Sequence, residues 1–183
     1  MVTHPNLKPD FEEPIALFGS DPQDVADIAK MEKDAERVYN NEWLKVYDAP
    51  LKYYADHEDV SFIDILSPGE YFGDDVRKWF MYISPQFVGD FGLINMRIYA
   101  KNGVGFVYMN QTYQGKLEDG SEFVWKMRQT DTVEKIDGEW KILHTHLSFA
   151  AVPEAKHPDR WQVDREYPKR PPAWEVSAKL AGG

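Results

Sequence analysis

Asp137-Gly138-Glu139-Trp140-Lys141-Ile142-Leu143-His144-Thr145-His146-Leu147-Ser148 (DGEWKILHTHLS) ends the longest β-rich stretch of the chain. Asp-Gly between alternating runs is a strong hairpin signal, so the residues after it read as the last strand of a meander. With a side-chain period of two, Trp140, Ile142, His144, His146 and Ser148 fall on one face of that strand. Two imidazoles and a hydroxyl on one face make either a chemical site or a buried polar network that holds a bent sheet together.

Upstream the same grammar repeats. Leu93–Lys101, Val104–Lys116, Phe123–Lys135 and Trp140–Phe149 read as strands joined by Asn102-Gly103, Asp119-Gly120 and Asp137-Gly138 turns. Before them the period is helical. Asp21, then Pro22, with Asp24 in the first turn, is a helix start: a side-chain cap, a proline where no donor is needed, and an acid near the positive end of the dipole. Ile28, Met31, Ala35, Val38, Tyr39 and Val46 recur at helical spacing and predict a helix reaching about residue 47. Pro50 confines a second short helix through Tyr53 and Tyr54; Val60–Leu66 reads as a strand, and Ser67-Pro68-Gly69 as a turn. Asp74 caps a further helix carrying Val76, Trp79, Phe80 and Ile83, ended by Pro85. Helices first and a meander last predict an α+β fold, a curved antiparallel sheet wrapped on a long N-terminal helix plus shorter helices, leaving an apolar cone with one open end.

Proline marks the limits of this unit: four of the 12 prolines precede the first helix and five follow the last strand. The chain is therefore divided into an N-terminal arm (1–21), a cone domain (22–150) and a C-terminal arm (151–183). The last arm carries Trp161, Tyr167 and Trp174, which suits packing on its own body or on a neighbouring subunit.

Composition narrows the partners. The net charge is −10, of which −8 lies in residues 1–60, and no stripe of Lys and Arg offers itself to phosphate. Nucleic acid and anionic membranes are not expected partners. Cysteine is absent, which excludes disulfides, thiolate nucleophiles and Cys-ligated zinc. No apolar run approaches the roughly 18 residues of a membrane span, and no signal-peptide core is visible, so a cytoplasmic location is expected. Gly-rich phosphate loops, dinucleotide fingerprints, nucleophile elbows and haem motifs are all missing, and no cofactor is expected.

A helix-first, sheet-last chain ending in D-G-x-W-x-x-x-H-x-H-x-S resembles the SnoaL-like branch of the nuclear-transport-factor-like superfamily over roughly residues 24–150. Polyketide cyclases, ketosteroid isomerases and scytalone dehydratases share that superfamily, as does the association domain of calmodulin-dependent kinases. The resemblance implies a cystatin-like α+β roll, with any ligand inside the cone. It does not imply one reaction, because the kinase association domains carry the His-x-His-x-Ser run and are not enzymes.

Which side chains meet the histidines depends on sheet register. A two-residue Asp137-Gly138 turn places Asp131 opposite His144 and Gln129 opposite His146; a three-residue turn with a glycine bulge places Thr130 and Arg128 there instead. The first suggests a carboxylate orienting an imidazole. The second puts Lys126, Arg128, Thr130 and Thr132 on the His face, and it is preferred because Arg-x-Thr recurs before this turn in SnoaL-like sequences. A slip of one residue swaps the whole face.

His146 and His144 titrate near neutral pH and suit acid–base work, against the alternative that they lock the last strand by hydrogen bonding. His-x-His is also a common metal pair, but the next acid, Glu154, lies beyond Pro153 and outside the strand, so no metal is expected. Asp64 is a charge within the apolar run Ser61-Phe62-Ile63-Asp64-Ile65. Facing a cavity it would be a raised-pKa base; at an edge it would be an ordinary solvated carboxylate. Ketosteroid isomerase pairs an aspartate base with a tyrosine and a protonated aspartate, and the analogous candidates here are Asp64 with Tyr39, Tyr54 or Tyr71. Tyr39, Trp43 and Tyr47 form one aromatic stripe on the first helix, and Tyr54, Trp79, Tyr113 and Trp125 add to the aromatic content. Sixteen Tyr and Trp against ten Phe favour pockets with an apolar body and a polar tip.

The expectation is a cofactorless acid–base lyase, dehydrating or deformylating a small aromatic or phenolic compound in the cone. His146, Asp64, Arg128, Lys126 and Tyr71 are its candidate catalytic residues; Tyr39, Trp43, Tyr54, Trp79, Tyr113, Trp125 and His144 are its candidate ligand contacts. Two alternatives stand beside it: an isomerase or cyclase on a polycyclic ketone, and a non-enzymatic ligand-binding or assembly domain. Leu143 and Leu147 or their neighbours would leave the outer sheet face partly apolar, which predicts a homo-oligomer, dimer or trimer.

Overall fold

The computed structural model describes residues 13–41, 45–65, 70–82, 87–117 and 120–149. Trp43, the Ser67-Pro68-Gly69 turn, Ile83, Pro85, Asp119 and the arm 151–183 lie outside the described residues. The elements run β1 (Ile15–Ala16), α1 (Pro22–Asn41), a 3-10 turn (Ala49–Tyr53), β2 (Ser61–Ile63), β3 (Glu70–Phe72), α2 (Asp74–Tyr82), β4 (Phe87–Lys101), β5 (Val104–Leu117), β6 (Glu122–Ile136) and β7 (Glu139–Phe149). One seven-stranded sheet has the order β1-β4-β5-β6-β7-β2-β3. The long meander is antiparallel, as expected, but β1 joins β4 in parallel and β2 joins β7 in parallel. Residues 15–16, placed by the sequence in a separate arm, thus add an edge strand.

α1 starts where the sequence says. Asp21 Oδ1 accepts from the backbone N–H of Gln23 at 2.8 Å and of Asp24 at 3.1 Å, satisfying donors the helix cannot. It ends at Asn41, short of the predicted 47. Asn41 Nδ2 donates to the Arg37 carbonyl at 2.8 Å, and Asn40 turns away to pair with Phe91 through both its backbone groups, at 2.7 Å each. The amide of Asn40 thereby substitutes for a strand. With Glu36 accepting from Leu93 N–H at 2.8 Å and Lys33 donating to its carbonyl at 2.6 Å, α1 covers the edge of β4 that β1 leaves open.

Both Asn102-Gly103 and Asp137-Gly138 have positive φ at the two turn positions (55° and 79°; 51° and 85°), the signature of a I′ hairpin. Two bulges then bend the sheet. One lies between Ile94 and Arg97 on β4, with Asn95 at φ 60°. The other sits on β7: Val133 pairs with Ile142 and Thr132 with His144, leaving Leu143 unopposed. Ile28, Val38, Phe80, Ile98, Val107 and Val133, all fully buried, fill the space between α1, α2 and the concave face.

The second bulge corrects the face assignment. Trp140 and Ile142 point into the core, but after Leu143 it is Thr145 and Leu147 that point inward, while His144, His146 and Ser148 go to the convex face. Neither drawn register holds. Thr132 stands opposite His144, Thr130 opposite His146 and Arg128 opposite Ser148, from a two-residue turn followed by an extra residue on β7. Asp131 faces Thr145, with no imidazole opposite it.

Candidate functional site

The concave face holds a slot lined by Tyr39, Tyr54, Asp64, Trp79, Gln111 and Gln129, with Tyr113, Trp125, Thr145 and aliphatic side chains completing the wall. Its walls enclose about 570 Å³ counted out to the mouth, but only about 50 Å³ of that admits the centre of a water molecule. The slot as it stands takes a few waters.

Asp64 follows β2, so the inward parity of Phe62 carries over to it. Its Oδ2 accepts from Trp79 Nε1 at 2.9 Å. Trp79 is in turn fixed by Phe62, 4.3 Å away between ring centroids, and by Phe80 in an edge contact at 4.7 Å. A carboxyl group aimed at an apolar slot is thus tied to an indole N–H on a rigid aromatic cluster.

Opposite lies a polar seam. Tyr54 Oη and Thr145 Oγ1 are 3.1 Å apart, Tyr39 lines the same wall, and Asp131 stands opposite Thr145 across the β6–β7 ladder. Gln129 Nε2 donates to Asp131 Oδ2 at 2.7 Å. Burial pushes both the Tyr39 and Tyr54 phenols well above their ordinary range, so both are proton donors at neutral pH. Burial likewise pushes Tyr113, nearer the mouth, up to about 12. Behind the seam, Glu32 of α1 and Asp131 of β6 are both fully buried. Desolvation raises each: Asp131 is pushed up to about 7 despite the hydrogen bonds from Thr145 and Gln129, and Glu32 is raised further by the neighbouring Asp131.

Asp64, Tyr39, Tyr54, Trp79, Tyr113 and Trp125 therefore meet in one slot. Tyr71 packs against Trp79 from β3, 6.5 Å between centroids, behind the wall. His144, His146, Arg128 and Lys126 lie on the other side of the sheet. There His144 Nδ1 is 2.8 Å from Ser61 Oγ, its imidazole held below its usual pKa by burial and by His146, and Arg128 donates to the Phe149 carbonyl at 2.8 Å. The polar residues that sequence reasoning left out are Gln111, Gln129 and Thr145 on the slot wall, and Glu32 and Asp131 behind it. A signal for them existed: each occupies an inward position between buried apolar residues, as in Met127-x-Gln129-x-Asp131-x-Val133. Among the described residues no group of three or more His, Asp or Glu is placed to hold a metal ion.

Residues 41–152, more than half of the chain, match the SnoaL-like domain family. The chain belongs to that family. Its sheet and helices superpose on an NTF2-like protein of unknown function from Pseudomonas putida KT2440 with a TM-score of 0.62 at 15% identity, covering 76% of this chain and 95% of that one. A protein from Novosphingobium aromaticivorans DSM 12444, provisionally named a scytalone dehydratase, gives 0.60 at 17% identity over 70% of this chain and 85% of its own. A Xanthomonas campestris protein, provisionally named a calmodulin-dependent kinase association domain, gives 0.58 at 15% over 81% and 99%. No curated protein matches the chain. Similarity at this identity fixes the SnoaL-like, NTF2-like fold alone: one neighbour is named for a dehydratase and another for an assembly domain, so function has to be argued from the slot itself.

Proposed function

We propose that this SnoaL-like protein is an acid–base lyase that eliminates water or formaldehyde from a small, monocyclic aromatic compound. The observation that carries the reading is one carboxylate, Asp64, and two protonated phenols, Tyr39 and Tyr54, lining one apolar slot. Elimination needs a base and an acid acting on one small molecule, with water excluded. Asp64 takes the proton, from carbon in a dehydration or from a hydroxyl in a deformylation. In the first case Tyr54 or Tyr39 protonates the departing oxygen; in the second it stabilises the oxyanion that forms as the C–C bond breaks and formaldehyde leaves, and Asp64 returns its proton to the ring carbon. Trp79, Tyr113 and Trp125 clamp the ring. The histidines take no part.

The slot's size argues against the polycyclic ketone of the isomerase alternative, since a fused ring system would displace much of the wall. The tightness does favour one other reading, a domain whose cone is filled by its own side chains. The test is a panel of phenyl-substituted diols and hydroxymethyl phenols, followed for alkene absorbance and formaldehyde. Turnover of at least one compound is expected, with Asp64→Asn and Tyr54→Phe each lowering kcat/KM a hundredfold or more. No binding of any member, or full activity in both variants, overturns the proposal.

A further inference from the structure

Two carboxyl groups sit where no ligand reaches them. Glu32 and Asp131 are buried on facing elements, and Glu32 Oε1 and Asp131 Oδ1 have no hydrogen-bond partner among the described residues. Burying two carboxyl groups with no opposite charge between them is costly, so their presence behind a slot lined by phenols calls for a use. The groups between pair and slot follow one another: Tyr39 and Tyr54 on the slot wall, Thr145 Oγ1 at 3.1 Å from Tyr54 Oη, and Asp131 directly opposite Thr145 across β6 and β7. Tyr39, Tyr54 and Thr145 line the slot, whereas Asp131 and Glu32 do not. The groups facing Asp131 from every side are Glu32 and Tyr39 on α1, Tyr54 after the 3-10 turn, Gln129 on its own strand and Thr145 on β7. A cationic side chain is not among them. Burial without an opposing charge favours the protonated form of each carboxyl.

We propose that Glu32 and Asp131 form a proton store behind the slot, and that Thr145 conducts between this store and the slot phenols, Tyr54 and Tyr39. The inference rests on the acid–base reading of the slot and adds the source of the proton. In a dehydration, Tyr54 gives its proton to the leaving hydroxyl as the C–O bond breaks, Thr145 reprotonates Tyr54, and Asp131 reprotonates Thr145. Asp64 meanwhile holds the proton taken from carbon. That proton returns to the store through solvent when water and the alkene depart, so each turnover closes without gain or loss. Asp131 and Thr145 are positioning residues in this scheme, acting through Tyr54.

The store and the file are tested without a substrate, which separates their failure from failure of the lyase reading. In the whole protein a protonated-carboxyl infrared band should survive at about pH 6, where exposed carboxylates are ionised, and should weaken with a midpoint near pH 7. Asp131→Asn should abolish that step. The ring-carbon resonances of Tyr54 and Tyr39, labelled with carbon-13 beside the hydroxyl, should shift with the same midpoint. Thr145→Val should silence the tyrosine shifts and leave the infrared step in place, and Thr145→Ser should restore them. Absence of the band at about pH 6 overturns the store. Tyrosine shifts that ignore the carboxyl step in the wild type, or that persist in Thr145→Val, overturn the conduction.

Discussion

Asp131 ties the chemistry of a single residue to the stability of the fold. Its carboxyl is pushed up to about 7 in the folded chain by burial, against about 4 in an unfolded one. Below pH about 4 both states are protonated and the shift is without effect. Between about 4 and 7 the unfolded chain releases a proton that the folded chain keeps, so stability falls as pH rises through that window and levels off above it. At about 1.4 kcal/mol per unit, the full loss is about 4 kcal/mol. Asp131→Asn keeps an oxygen for Thr145 and Gln129 and removes the titration. Urea unfolding at pH 5 and pH 8 should show the wild type markedly less stable at the higher pH and the variant less dependent on pH, the remaining dependence coming from Glu32, whose carboxyl burial also raises. Equal pH dependence in the two would mean that Asp131 is an ordinary carboxylate. The alternation around Asp131 hints at an inward position, but its titration is not legible in the sequence, because the partners that bury it are set by the register.

At the scale of the element, the turns and strand periods of the meander were readable from local chemistry: Asn-Gly and Asp-Gly dipeptides, β-branched and aromatic alternation, and the Asp21-Pro22 helix start. Leu143 was not. A single extra residue on β7 leaves no local signature, yet it exchanges His144 and His146 for Thr145 and Leu147 on the concave face. The conspicuous histidines therefore lie on the convex face, while Asp64, in an apolar run with inward parity, lies in the slot. The Trp140–Ile142 segment and the Thr145–Leu147 segment are both buried, and only the bulge lets both be so. Deleting Leu143 forces one of them outward. The expected outcome is a loss of at least about 3 kcal/mol, the scale of removing a large core side chain, seen as a lowered Tm with retained β-sheet circular dichroism. A deletion variant as stable as the parent would show that the bulge is not what aligns the two halves of β7.

For the whole molecule the convex face remains to be explained. It carries Val104, Phe106, Tyr108 and Val124, all at least 36% exposed, with Tyr99 stacked on Phe106 at 5.7 Å between ring centroids. Next to this apolar ground stand the polar side chains of Thr130, Thr132, His144 and His146. Lys126, Arg128 and Glu122 lie further along β6. An apolar centre with a charged margin is the anatomy of a protein interface, and a chain with net charge −10 needs such local neutrality for two copies to meet. We propose that the convex face joins copies of this chain into a closed homo-oligomer, a dimer or trimer, in place of the Leu143 and Leu147 surface that the sequence suggested. Leu147 is buried inside. Light scattering at micromolar concentration should give a multiple of 21.2 kDa. Phe106→Glu and Tyr108→Glu, which place acids at the centre of the patch, should return the monomer while leaving the slot's phenols and Asp64 untouched. A 21.2 kDa species in the parent protein would refute the assembly, and glutamate variants that still associate would place the interface elsewhere.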